Sequence, residues 1–147
     1  MLVVVLSCVV LVALTTLIHY EVLHYVHATL PRVAIRNQTK LLLVMFAAFA
    51  AHAVEIALYG VTLFGLVRYG GVGDLSSHGG LALVNSLYFS AETYTSLGFG
   101  DLVPVGPVRL LAGTEALNGL VLIGWTASYA YIAMERFWTS GGRPPAA

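Results

Sequence analysis

Residues 90–104 read SAETYTSLGFGDLVP, with TSLGFGD at 95–101. Hydroxyl side chains lead in, two glycines bracket an aromatic, and a carboxylate follows. The surrounding chain is apolar, so a polar, glycine-containing insert is out of place unless its backbone has a task. Three readings compete: a turn between helices, a nucleotide-binding loop, and a backbone element that makes sense only inside a bilayer. The nucleotide reading fails because no third glycine follows at the required spacing and no βαβ pattern surrounds it.

Composition favours the bilayer. The 147 residues are 59% hydrophobic and 10% charged, with a mean hydropathy of +0.86, against roughly 25% charged residues in soluble domains. Net charge is zero and the basic residues are scattered, so there is no electrostatic footprint for nucleic acid. The single cysteine, Cys8, lies in an apolar run and reads as a small buried hydrophobe.

Three apolar segments stand out: residues 2–18, continuing helically towards Leu30 before Pro31, residues 41–67, and residues 108–138. A spanning helix needs roughly 20 apolar residues. The first segment lacks a basic leader region and a small-x-small cleavage site, so it is expected as a retained span. Arg32, Arg36, Lys40, Arg136 and Arg143 flank one side, while only Arg68 and Arg109 flank the other. The positive-inside rule then puts residues 31–40, a basic linker, and the C-terminus in the cytoplasm, with the N-terminus outside. The expected location is a cell inner membrane or plasma membrane, as a multi-pass protein. The basic linker could attract anionic lipid.

Between the second and third spans, YGGVGDLSSHGG at 69–80 is expected as an exposed loop. The apolar segment from 81 to about 95 is too short to cross a bilayer and reads as re-entrant. Non-helical backbone at membrane depth is tolerated only against protein or a water-filled path. Gly98 and Gly100 admit positive φ, so successive carbonyls can face one axis and replace a cation's water. The half-length helix before them aims its negative dipole end at the same place.

On these residues the chain resembles the potassium channel superfamily, whose pore loop reads T-x-G-[YF]-G-D after a short helix. Ser96-Leu97-Gly98-Phe99-Gly100-Asp101 matches with Ser for Thr, and Thr93, Thr95, Tyr88-Phe89, Val103-Pro104 and Arg109 agree. The resemblance implies an all-α membrane protein with three transmembrane helices, a re-entrant pore helix, a selectivity filter and a homotetrameric pore. It covers 41–138: outer helix 41–68, outer loop 69–80, pore helix 81–95, filter 96–101 and inner helix 108–138. Residues 1–30 form an additional N-terminal span and 139–147 a short tail. K+ would sit at Ser96, Leu97, Gly98 and Phe99, with Gly100 completing the strand. Glu92, Thr93, Thr95 and Asp101 would support it, Glu92 and Asp101 as a protonated or water-bridged pair. Gly119 and Gly124 would permit bending of the inner helix. No enzyme activity is implied, and no cofactor beyond K+ as the permeant ion. Ser96, Leu97 and Phe99 depart from the commonest pattern and leave a weakly selective Na+/K+ channel as the nearer alternative.

The polar residues inside the spans cost a few kcal/mol each unless they face protein or water. His52 and Glu55 share a face of the second span, and an interhelical hydrogen-bond network with Glu115 or Asn118 is one reading. A proton-sensitive brace is the sharper one, and Asn118 has a second reading facing the cavity below the filter. HYEVLHYVH at 19–27 spaces Glu21, His24 and His27 as metal ligands would be spaced, although an interfacial belt explains it more simply. The distant alternative is a membrane metalloprotein or proton-handling subunit using His19, His24, His27, His52 and Glu55.

Overall fold

The computed structural model describes residues 1–76 and 81–139; the end of the outer loop and the tail after Thr139, including Arg143, lie outside the described residues. Three helices are long and apolar enough to cross a membrane: α1 (Leu2–Thr29), α2 (Asn37–Arg68) and, after the short α3 (Leu83–Tyr94), α4 (Val108–Thr139). At 1.5 Å per residue the 32-residue α2 and α4 are each about 48 Å long, more than a hydrocarbon core needs, so they tilt or extend beyond it. The 12-residue α3 is about 18 Å long and cannot cross.

Each long helix buries one stripe. On α1 the stripe is Val4, Cys8, Leu11, Thr15, His19 and Leu23, one residue per turn. On α2 it includes Val44, Ala48, Ala51, Glu55, Tyr59 and Leu63. The remaining faces stay apolar and exposed, as a lipid-facing or subunit-facing surface requires. The inner faces close on an upper core that joins Val4 and Leu11 of α1 to Tyr59 and Leu63 of α2, Phe89 of α3 and Leu111 of α4. A second cluster, Leu30, Val44, Ala133 and Phe137, closes the other end.

Two boundaries differ from expectation. The basic linker is shorter than 31–40. After a single 3₁₀ turn at Leu30–Arg32 the chain is irregular only briefly, and Asn37–Lys40 already belong to α2. Asn37 donates to the Phe137 carbonyl at 2.9 Å, and the Lys40 ammonium sits 5.6 Å from the Phe137 ring centroid. Polar groups at that end thus anchor the start of α2 on the end of α4, and Lys40 is buried rather than free for lipid. The outer loop is also less irregular than its glycines suggest. Asp74–Ser76 (β1) pairs antiparallel with Val103–Val105 (β2), so the segments before and after the pore loop are stitched together.

Candidate pore site

α3 packs against α2 and α4 and delivers the loop 95–101 to the surface of the single chain. In that loop φ is positive at every second residue: Ser96 (58°), Gly98 (56°) and Gly100 (80°). Alternating the hand of the backbone gathers the N–H groups on one side and turns the carbonyls to the other. The N–H side has an occupant. The Leu97 and Gly98 amides donate to the Glu92 carbonyl at 2.8 and 3.3 Å, and the Phe99 amide donates to Glu92 Oε2 at 3.0 Å. One residue at the end of the pore helix therefore collects three consecutive filter N–H groups. Leu97 and Phe99 are 59% and 66% exposed, and a Cβ built on Gly98 or Gly100 would meet nothing within 4 Å.

This geometry gives Glu92 a different partner from the expected one. Its carboxylate holds the Phe99 amide directly, whereas Asp101 is exposed and faces Tyr88, one turn before Glu92. Desolvation, then the carboxylates of Asp101 and Glu92, push the Tyr88 phenol above its ordinary value. Thr95 turns its hydroxyl back to the Ala91 carbonyl at 2.7 Å, continuing the pore helix by half a turn.

The inner-helix residues separate into three roles. Asn118 does not face a cavity: it is buried and donates to Thr15 Oγ1 at 2.7 Å and to the Tyr59 hydroxyl at 3.3 Å, tying α4 to α1 and α2. Gly119 is a close approach rather than a free bend point, because a Cβ there would overlap the Tyr94 carbonyl oxygen. Gly124 has open space around it.

Glu115 pairs with Ser90 Oγ of α3, which also lies 2.9 Å from the Ile56 carbonyl. Glu55 is fully buried among other partners. His19 Nδ1 is 3.0 Å from its Oε1, His52 Nδ1 is 3.1 Å from Oε2, and the Tyr94 hydroxyl donates to Oε2. Thr126 Oγ1 lies 3.0 Å from His52 Nε2 and 3.1 Å from His19 Nε2. The interhelical network thus exists, but Glu55 joins His19, Tyr94 and Thr126 rather than Glu115 or Asn118. His24 stacks on Tyr20 and His27 meets Tyr129 edge-on, so neither joins it. Tyr94, Thr126, Thr15, Tyr59 and Ser90 were not read from the sequence as partners. The signal available for Thr15 was its place one turn before His19 on the α1 stripe.

Comparison with known proteins agrees with the region that carries this geometry. Residues 41–136 match the family described as Ion channel. Two-pore potassium channel 1 of Arabidopsis thaliana is 40% identical over 79 residues, which is 51% of this chain and 21% of that protein. The chain therefore matches about a fifth of that relative's length, and no solved structure matches. With three apolar helices around a re-entrant fourth, the chain is a multi-pass membrane protein and belongs to the ion channel family, as a pore domain of the potassium channel superfamily.

Proposed function

We propose that four copies of this chain surround one axis and conduct K+ through the carbonyls of Ser96, Leu97, Gly98 and Phe99. The observation that carries the reading is the alternating backbone hand at 96, 98 and 100 with its N–H groups gathered on Glu92. That arrangement leaves a row of carbonyls on the opposite side, and a ring of such rows can replace a cation's hydration shell. A single chain supplies one row and exposes it, so the ring needs several chains. The number four comes from the family resemblance, and the potassium preference from the GFGD pattern and the name of the plant relative. Arginine distribution supports the loop facing outside and both Arg36 and Arg136 facing the cytoplasm.

The test is K+ flux into vesicles reconstituted with the purified chain, beside Gly98→Ala. Gly98 holds a positive φ that a Cβ resists, at a strain of about 1–2 kcal/mol for each chain in the ring. Flux in the wild type and its loss in the variant is the expected outcome; no flux in either would remove the pore reading. Reversal potentials under mixed K+ and Na+ gradients then decide whether the pore is K+-selective or weakly discriminating.

A further inference from the structure

The cluster around Glu55 has no part in the filter, and its atoms are arranged in an unusual way. Glu55 and His19 are fully buried and the His52 side chain is 15% exposed, in the middle of three apolar helices. Their donor atoms, two imidazole nitrogens and a carboxylate oxygen, all lie within 4.8 Å of one another. Both rings turn the same nitrogen, Nδ1, to Glu55 and the other, Nε2, to one shared hydroxyl, that of Thr126.

That sharing restricts where the protons sit. A hydroxyl has one proton and two lone pairs. Thr126 Oγ1 serves both rings symmetrically when each ring carries its proton on Nε2 and donates it. Both Nδ1 atoms are then bare, and their lone pairs converge on a carboxylate that also offers lone pairs. Two nitrogens and a carboxylate facing one another at 3.0 and 3.1 Å are held together by ring protons, by the Tyr94 hydroxyl that lies 2.9 Å from His52 Nδ1, or by a cation among them.

We propose that His19 Nδ1, His52 Nδ1 and Glu55 form a binding site for a divalent transition cation, with Zn2+ the fitting ion. Imidazole nitrogens with one carboxylate suit zinc and its neighbours and disfavour Mg2+ or Ca2+, which take oxygen ligands. Zinc ligands about 2.0–2.1 Å from the ion at tetrahedral angles lie about 3.3 Å apart. The two nitrogen–oxygen distances, 3.0 and 3.1 Å, are within a few tenths of an ångström of that, and the three ligand atoms lie within 4.8 Å of one another. Three protein ligands leave one position for water, on the side where His52, Tyr94 and Thr126 line a pocket of about 520 Å³ between α2 and α4. The outer partners are also in place: Thr126 Oγ1 lies within hydrogen-bond distance of both Nε2 atoms and would accept from them when both Nδ1 atoms bind an ion, and the Tyr94 hydroxyl donates to the ligating carboxylate.

The ligands come from α1 and α2, while the groups that orient them come from α4 and from Tyr94, the last residue of the pore helix. An ion there would clamp the N-terminal span to the pore unit beneath the filter, away from the row of carbonyls.

The purified chain, in detergent and free of any histidine tag, is stripped with chelator and titrated with Co2+ and then Zn2+. The expected result is one Co2+ per chain with the intense visible absorption of a four-coordinate nitrogen–oxygen site, displaced by Zn2+, and a higher melting temperature with Zn2+. His19→Gln and His52→Gln should each weaken binding at least about 100-fold, and Thr126→Val about 10–100-fold through ligand orientation. His24→Gln and His27→Gln should leave it unchanged. The wild-type titration decides the matter even if a ligand variant fails to fold. Absence of stoichiometric uptake overturns the proposal and leaves the cluster joined by shared protons; so does binding that survives His19→Gln but is lost in His24→Gln. Because binding is read without flux, the result stands apart from the pore assay.

Discussion

At the scale of single residues, Glu92 sets the filter's geometry through both its carbonyl and its side chain. Glu92→Gln keeps an acceptor oxygen for the Phe99 amide, whereas Glu92→Ala removes that part-buried bond, at about 0.5–1.5 kcal/mol for each chain. Vesicle flux should therefore fall moderately in Glu92→Gln and severely in Glu92→Ala, with the oligomer still forming in both; equal flux in both would contradict the bracing role. The two inner-helix glycines should respond in opposite directions. Gly119→Ala must force α4 away from the Tyr94 backbone and cost about 1–3 kcal/mol, while Gly124→Ala meets open space and gains about 0.5–1 kcal/mol of helix propensity. Melting temperatures in detergent read both. The sequence carried the glycine pattern of the filter plainly, because only a backbone needing positive φ explains Gly98 and Gly100 beside apolar spans. It did not distinguish Gly119 from Gly124, because a close approach depends on which neighbour a helix face meets.

At the scale of elements, the long helices and the half-length one were legible from run length alone, since hydrocarbon thickness converts directly into residue number. The ends were less so. Asn37–Lys40 looked like linker because they are polar, yet Asn37 bonds to the end of α4 and Lys40 lies against the Phe137 ring. The partners of Glu55 were hidden for a similar reason: its own face could be read, but the rotation of α1 and α4 about their axes could not. Docking of α1 rests partly on Asn118, whose amide reaches Thr15 while the Thr15 hydroxyl donates to the Leu11 carbonyl at 2.7 Å. Interhelical bonds of this kind are worth about 0.6–1.7 kcal/mol in membranes. Asn118→Ala should lower the melting temperature and expose residues of α1 to protease without abolishing flux. Loss of flux with unchanged stability would return Asn118 to the conduction path.

At the scale of the whole molecule, the helical bundle satisfies its own buried polar groups, since no buried side-chain nitrogen or oxygen among the described residues lacks a partner. The pore loop is the exception to this self-sufficiency in a different sense: residues 95–101 are exposed, the large side chains of Leu97 and Phe99 among them. That exposure has a consequence for inheritance and dosage. If every ring draws one strand from each of four chains, a defective copy spoils the rings it enters rather than only its own share. Mixing equal amounts of wild-type and Gly98→Ala subunits before assembly should leave roughly one-sixteenth of the rings wholly wild-type, with flux falling far below half. A linear fall in flux with the mutant fraction would mean that each chain conducts alone. A filter shared in this way makes the allele dominant.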